Sequence, residues 1–150
     1  NGRTHLALPL STPLISNGRS HIKKTVSLTV GASVKIKGTP SKSFSVSPEL
    51  HVDFHTEANK TIAFHFRVCF GKRVVMNIRQ GGKWGQEVQS TVMPFENGHH
   101  FDLAILVLLS EYQITVNGRH CYTFPHRIDP GSVKMIRVWR DVSLTSVTVA

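Results

Sequence analysis

The sequence predicts an all-β protein, an antiparallel β-sandwich of two sheets. About ten short segments alternate apolar and polar residues with the two-residue period of a half-buried strand. Turns rich in Gly, Pro and Asn separate these segments at nearly regular spacing, and no segment has the period of an amphipathic helix. Short strands at such spacing are typical of sandwiches and jelly rolls.

The 150 residues are enough for one domain with its own hydrophobic core. Residues 1–24 contain Pro, Ser and basic residues but no acidic residue. They are predicted to be a disordered basic leader or a cloning remnant rather than a signal peptide. Residues 25–150 are predicted to form the folded domain. No apolar run reaches the roughly 18 residues that a spanning helix needs, so membrane insertion is not expected.

The predicted strands follow one another along the folded domain. In chain order, the alternating segments are Val26–Val30, Val34–Lys37, Phe44–Val46, Leu50–His55, Ile62–Cys69, Arg73–Arg79, Val88–Val92, Tyr112–Val116, His120–Phe124, Lys134–Trp139 and Val142–Val149. Within the fourth segment, His51, Asp53 and His55 are expected on one face and the apolar residues on the other. Phe101–Leu109 is apolar at almost every position, which fits a strand buried on both faces or, by pattern alone, a buried helix. A strand is preferred, because the alternating segment Tyr112–Val116 follows. Asn117-Gly118 predicts a two-residue hairpin turn.

Candidate binding residues lie within the stretch Thr61–Glu87. Its first two strands can pair through a turn at Phe70-Gly71-Lys72, and Gly81-Gly82 can turn the chain again. The sheet would then gather one aromatic and several hydrogen-bonding side chains, namely His65, Arg67, Asn77, Trp84 and Glu87. Trp84 lies between glycines and is expected to be partly exposed. A flat indole beside polar groups suits a sugar, which has an apolar ring face and a rim of hydroxyls.

Catalysis is not predicted, because the residue patterns that it requires are missing. The chain has no G-x-S-x-G motif. The acids near the candidate site are Asp53, Glu57 and Glu87, and nothing in the sequence pairs two of them as a glycosidase requires. His65 and Cys69 share a strand face, but four strand residues separate them by about 13 Å, too far for a thiol–imidazole pair.

No metal site or cofactor is predicted. The nine histidines are scattered, and no zinc-type spacing with cysteine occurs. Cys69 and Cys121 are expected to be reduced thiols, although a bridge between them, or a link between two chains, stays open. The formal net charge of +9 raises the question of nucleic acid. No nucleic-acid partner is predicted, because the basic residues are scattered and no recognition motif is present.

Several segments, in their order and spacing, resemble the galectin family. They are Leu50–Phe54, Phe64-His65-Phe66, Val74–Asn77, Trp84–Glu87, Met93-Pro94-Phe95, Phe101–Leu103 and Tyr112–Gly118. The resemblance covers about Val26 to Val147. It implies a jelly-roll sandwich whose concave sheet binds β-galactosides without a metal. It also implies a homodimer, and a cytoplasmic or nuclear protein released by non-classical secretion.

The family's sugar motif is H-x-N-P-R, then V-x-N, then W-x-x-E-x-R. His65, Asn77, Trp84 and Glu87 match this motif, whereas Arg67, Cys69 and Gln89 stand where the family has Asn, Arg and Arg. Cysteine is a weak donor, and losing a charge-assisted hydrogen bond costs about 1.5–3 kcal/mol. The resemblance therefore implies a glycan-binding lectin with a modified β-galactoside site formed at these seven positions. The alternative is a galectin fold with a decayed sugar site that acts in protein contacts or self-assembly.

Overall fold

The computed structural model describes residues 19–58 and 60–150, together with the backbone of one short strand at residues 15–16. The described strands are β1 (Ile15–Ser16), β2 (Arg19–Thr25), β3 (Ser33–Pro40), β4 (Glu49–Thr56), β5 (Ile62–Cys69), β6 (Arg73–Gln80), β7 (Lys83–Trp84), β8 (Val88–Ser90), β9 (Phe101–Val107), β10 (Glu111–Val116), β11 (Arg119–Pro125), β12 (Val133–Arg140) and β13 (Val142–Val149). Two short 3₁₀ helices span Phe44–Val46 and Pro130–Ser132. In the described part of the chain, no helix is long and apolar enough to cross a membrane.

The strands form two antiparallel sheets. The eight-stranded sheet has the order β1-β2-β12-β4-β5-β6-β7, with β8 also paired to β6. The five-stranded sheet has the order β11-β10-β9-β3-β13. This architecture confirms the predicted all-β sandwich of two sheets.

One hydrophobic core fills the space between the two sheets. Phe64 of β5 lies near its centre, with its ring 4.5 Å from Tyr112 and 5.0 Å from Phe124 of the opposite sheet. Leu50 and Phe54 are fully buried in the same core. Because strand side chains alternate between faces, the polar residues that follow these apolar ones must lie on the outer face of the eight-stranded sheet.

Two hairpin turns form at the residues where the sequence predicts them. Asn117 and Gly118 both have positive φ, 52° and 79°, as the two-residue turn between β10 and β11 requires. Gly81 and Gly82 also have positive φ, 59° and 86°, between β6 and β7. Both predicted turns are confirmed, and the second one brings Trp84 back beside Arg79 of β6.

The sheet begins earlier in the chain than the predicted domain boundary. The predicted leader, residues 1–24, includes most of β2, which pairs with β12 from Ser20 to Thr25. Backbone pairing with a distant strand, which local composition does not reveal, orders this basic segment. Conversely, the predicted strand Val26–Val30 is not a strand. The remainder of the predicted leader lies outside the described residues, apart from the backbone of β1.

Two further predictions were wrong in detail. Phe44–Val46 is a 3₁₀ helix rather than a strand, with Ser43 accepting a hydrogen bond from the Ser45 N–H at its start. The apolar segment from Phe101 is a strand, but it ends at Val107 and is fully buried on one face only. Its other face lies on the outer side of the five-stranded sheet, where Ala104 and Leu106 stay partly exposed.

Candidate functional site

The outer face of the eight-stranded sheet contains an open cavity of about 620 Å³. Its floor is formed by β4, β5, β6 and β12, and β7 with the loop after it forms one wall. Five of the seven predicted site residues line the cavity, namely His65, Arg67, Asn77, Trp84 and Glu87. Cys69 and Gln89 do not line it.

Strand register explains how the sheet gathers the floor of this cavity. His65 of β5 stands opposite Asp53 of β4 on one side and Asn77 of β6 on the other. Directly opposed residues on neighbouring strands point to the same face, with side chains about 5 Å apart. The predicted meeting of His65 and Asn77 across the hairpin is thereby confirmed.

His65 is held by a buried carboxylate. Its Nδ1 lies 2.5 Å from Asp53 Oδ1, and the indole N–H of Trp139 donates to the other Asp53 oxygen at 2.9 Å. Burial would raise the pKa of Asp53, but the hydrogen bonds from His65 and from the Trp139 N–H hold it below its ordinary value. Asp53 is therefore ionised near neutral pH, and it fixes the His65 Nδ1–H toward itself. The His65 Nε2 is then an acceptor available to a ligand hydroxyl.

Trp84 forms the exposed aromatic surface of the cavity. Its side chain is 49% exposed, as its glycine-rich surroundings predicted. Its ring lies 4.7 Å from the His65 ring, and the Arg79 guanidinium lies 5.3 Å from its centroid. An aromatic surface held at this position, with polar groups beside it, can contact the apolar face of a sugar ring.

Asn77 is positioned by the loop that carries Trp84. Its amide nitrogen donates to the Gly85 carbonyl at 2.9 Å, and its oxygen accepts from the Ile78 N–H at 2.8 Å and from Arg127 at 3.3 Å. A Cβ on Gly85 would lie only 3.1 Å from that amide oxygen, so a glycine allows the close approach. One amide hydrogen of Asn77 is left for a ligand.

Arg67 reaches toward Glu49 at one end of the cavity. Its Nε lies 3.5 Å from Glu49 Oε1, an oxygen that also lies 2.8 Å from His51 Nε2. Burial lowers the pKa of His51, and this outweighs the opposing hydrogen bond to Glu49. His51 is thus neutral near pH 7. The cationic partners of Glu49 are therefore Arg67 and Arg140.

The remaining predicted residues lie at the margin of the cavity. Gln89 donates to Glu87 Oε1 at 2.5 Å, so the partner of Glu87 is a neutral amide rather than a cation. Cys69 is only 7% exposed. It stands opposite Glu49 of β4 on one side and Arg73 of β6 on the other. Both Cys69 and Cys121 are free, so the bridge between them that the sequence left open does not form.

One set of side chains could in principle hold a metal ion. A ligand atom from each of His51, Asp53 and His65 lies within 4.8 Å of the others. Two of these residues already bond to one another, and Trp139 occupies the second Asp53 oxygen. A metal here would have to displace these hydrogen bonds and bind beside Arg67. The arrangement fits a hydrogen-bonded network better than a metal centre.

Sequence reasoning missed the part of the site that β12 contributes. Trp139 lies 4.6 Å from the His51 ring, and the Arg137 guanidinium lies 3.8 Å from the Trp139 ring. The common orientation of His51, Asp53 and His55 was predicted, but their neighbours on β12 were not. The alternation of polar and apolar residues in Lys134–Trp139 predicts that one face of this strand points outward. It does not identify the strands that lie beside it.

The family model and the relatives found by comparison with known proteins match most of this chain. A family model described as "Galactoside-binding lectin" matches residues 20–149. Human galectin-16 is 54% identical over 129 residues, which cover 85% of this chain and 91% of that protein. Human galactoside-binding soluble lectin 13 is 53% identical over 129 residues, which cover 85% of this chain and 93% of that protein.

Solved structures agree with these sequence relatives. A human galectin-16 variant in which an arginine is replaced by asparagine superimposes with a TM-score of 0.83 at 50% identity, covering 93% of this chain and 98% of that chain. Sheep galectin-11 in complex with glycerol gives a TM-score of 0.82 at 40% identity, covering 94% of this chain and 99% of that chain.

Proposed function

This chain belongs to the galectin family, and we propose that it is a glycan-binding lectin with a modified β-galactoside site. Members of this family are carbohydrate-binding lectins and not enzymes. The proposed binding residues are His65, Arg67, Cys69, Asn77, Trp84, Glu87 and Gln89.

The observation that carries the proposal is the exposed indole of Trp84 beside the oriented imidazole of His65. Trp84 offers an apolar surface, and the His65 ring lies 4.7 Å away with Nε2 available to a hydroxyl. A galactoside placed on the indole would direct its hydroxyls toward His65, Asn77 and Glu87. Both the aromatic surface and the polar rim are present in one cavity of suitable size.

The departures from the family motif support weak or altered affinity rather than ordinary lactose binding. Arg67 enters the space of a shorter asparagine and pairs with Glu49. Cys69 offers no forked guanidinium, and its thiol is buried. The missing charge-assisted hydrogen bond corresponds to roughly a tenfold to hundredfold loss of affinity.

The test is a lactose titration and a glycan array with Trp84→Ala. We expect this change to lower affinity by at least about tenfold, because the stacking surface is lost. Val46→Ala is the matched control, since Val46 is 65% exposed and lies outside the cavity. Both variants should melt like the parent. Unchanged glycan binding by Trp84→Ala would refute the site assignment.

The alternative function is a decayed sugar site on a protein used for self-assembly or protein contacts. The pairing of Arg67 with Glu49 favours it, because this contact occupies one end of the cavity without a ligand. Sedimentation with and without lactose and reductant separates the two functions. A strict monomer that binds a galactoside at micromolar levels would count against the alternative.

We also propose that the protein forms a homodimer. A disulfide between the two chains would require a cysteine at the protein surface. Cys121 lies on the edge strand β11 and is partly exposed, whereas Cys69 is buried. Cys121→Ser should therefore remove any reductant-sensitive dimer. Dimerisation that is unchanged in this variant would exclude a thiol link.

A further inference from the structure

The loop that carries two residues of the candidate site has little backbone pairing of its own. Trp84 belongs to β7, which has only two residues and pairs with β6 alone. Residues 85–87 form no strand, and Glu87 at their end lines the cavity. Few backbone hydrogen bonds hold such a loop, so it opens easily unless other contacts fix it. A further contact is needed to keep Trp84 and Glu87 at the cavity.

Arg127 provides this contact from outside the cavity. Its Nη1 donates to the Gln86 carbonyl at 2.8 Å and to Asn77 Oδ1 at 3.3 Å. A Cβ on Gly85 would lie 3.4 Å from the same nitrogen, so the guanidinium packs directly against the loop. Arg127 is not among the residues that line the cavity. It therefore reaches Asn77 and the loop without occupying the space of a ligand.

Arg127 is itself anchored to the five-stranded sheet. Its guanidinium carbon lies 4.8 Å from the ring centroid of Phe124, which is buried in the core. The preceding residue, His126, donates its backbone N–H to the Ser110 carbonyl at 3.0 Å, and its Nε2 lies 2.9 Å from the Leu108 carbonyl oxygen. Both contacts join this segment to the hairpin between β9 and β10. Arg127 thus connects the site loop of one sheet to the other sheet.

The contact with Arg127 also fixes the amide orientation of Asn77. Asn77 Oδ1 accepts from Arg127 and from the Ile78 N–H, while its Nδ2 donates to the Gly85 carbonyl. A flipped amide would place its nitrogen against two donors and its oxygen against a carbonyl. A hydrogen bond from a cation is stronger than a neutral one, and it polarises the group that accepts it. The remaining N–H of Asn77 is thereby held in place and made a stronger donor.

We propose that Arg127 is a positioning residue of the glycan site, which holds Asn77 and the loop from Trp84 to Glu87 in the geometry that a galactoside needs. This inference rests on the proposed lectin function and adds to it a residue beyond the cavity. Arg127 does not touch the sugar. It acts on Asn77 directly, and on Trp84 and Glu87 through the Gln86 carbonyl. The site therefore depends on both sheets, although the cavity lies on one of them.

The binding experiment compares the parent with Arg127→Gln and Arg127→Lys. Calorimetric titrations use lactose and the glycan that binds the parent most tightly on an array. We expect Arg127→Gln to lower affinity by about tenfold, because charge-assisted hydrogen bonds are lost. Arg127→Lys should lose less, since its ammonium keeps the charge and can still donate to one of the two oxygens. Arg119→Gln is the matched control, because it removes the same charge from an exposed position on β11 outside the cavity.

A second measurement separates positioning from general stability and needs no glycan. In isotope-labelled, ligand-free protein, the side-chain amide of Asn77 and the indole N–H of Trp84 each give an NMR signal that reports their surroundings. We expect Arg127→Gln to shift both signals and to speed hydrogen exchange of the Asn77 amide, whereas Arg119→Gln should change neither. All variants should melt within about 4 °C of the parent, since Arg127 is exposed.

The outcomes separate this inference from the lectin proposal. If the parent binds no glycan, both fail. If the parent binds a glycan and Arg127→Gln binds it as tightly as Arg119→Gln does, only the positioning role fails. Unchanged Asn77 and Trp84 signals in Arg127→Gln also overturn that role. So does a large drop in melting temperature that Arg127→Lys does not reverse, because it would show that Arg127 supports the fold in general.

Discussion

Arg67 and Cys69 stand at two positions where the galectin sugar motif has Asn and Arg. Arg67 is held toward Glu49, and the buried Cys69 thiol neighbours it on the same strand face. Burial alone would lower the pKa of Arg67, but the Cys69 side chain and the Glu49 charge raise it. Arg67 is therefore a fixed cation in the space where the family motif has a neutral amide.

Restoring the family residues should strengthen binding of neutral galactosides. We expect Arg67→Asn to raise lactose affinity by freeing cavity space, and the double variant with Cys69→Arg to raise it by about tenfold or more. Calorimetric titration measures both. Arg119→Asn, on the other sheet, should leave lactose affinity unchanged. If the double variant binds lactose no better than the parent, these two departures do not set its affinity.

The carboxylate of Asp53 connects three strands through its hydrogen bonds. It bonds His65 of β5 and Trp139 of β12 from its place on β4, and it is only 3% exposed. We expect Asp53→Asn to lower the free energy of unfolding at pH 7 by about 1.5–3 kcal/mol, because charged hydrogen bonds are lost. Urea unfolding measures this difference. Asp102→Asn, at an exposed position, should change it by no more than about 0.5 kcal/mol.

The pH dependence of this difference follows from the lowered pKa of Asp53. A carboxyl whose folded pKa lies below its unfolded value stabilises the fold above the unfolded pKa of about 3.9. That contribution disappears as pH falls through the folded pKa. The stability gap between parent and Asp53→Asn should therefore be full at pH 6 and shrink below about pH 4. A gap that stays constant down to pH 2 would contradict the assigned ionisation.

At the scale of the elements, β3 and β13 approach so closely that only glycine fits at one position. A Cβ on Gly38 would lie 2.7 Å from the Ser143 carbonyl oxygen, a backbone atom that cannot rotate away. The ladder between these strands also changes register just beyond this point, between Leu144 and Ser146. The close approach therefore constrains how β13 closes the edge of the five-stranded sheet.

Gly38→Ala should consequently lower the free energy of unfolding by about 1–3 kcal/mol through overpacking. Thermal and urea unfolding provide the measurement. Gly131→Ala is the control, because its Cβ would meet only side-chain atoms of Asp129, the nearest at 3.3 Å, and no backbone atom. Equal stability loss in both variants would show that the β3–β13 contact is not the cause.

At the scale of the whole molecule, the two sheets are held together by one aromatic-rich core. Phe64 contacts Tyr112 and Phe124 across the interface and Phe54 on its own sheet. The same strands carry core residues on one face and cavity residues on the other. Stability and the floor of the candidate site therefore depend on the same strand register.

Removing the central ring should test this dependence. We expect Phe64→Ala to cost about 3–5 kcal/mol, a large part of the 5–15 kcal/mol typical of a domain. Leu109→Ala should change stability by no more than about 0.5 kcal/mol, because Leu109 is 82% exposed. Denaturant unfolding compares the two. A small cost for Phe64→Ala would mean that the core rearranges around the lost ring.

Local patterns predicted much of this protein. Two-residue alternation predicted β4, β5 and β6 and the faces that their side chains occupy, and Asn117-Gly118 predicted its hairpin. Such features depend on neighbours in sequence, so the sequence carries them directly. The same patterns failed for β2, whose basic composition resembles a solvated tail, because β2 pairs with β12, a strand that lies far away in the sequence.

The amino-acid sequence by itself determined that the chain is a two-sheet sandwich, that His65 and Asn77 face each other, and that Trp84 is exposed. Only the tertiary structure decided which strands adjoin these residues. It placed β12 between β2 and β4, and so brought Trp139 to Asp53 and Arg137 to the cavity. The physical reason is that alternation specifies the face of each side chain, whereas packing of the whole core selects the neighbouring strand.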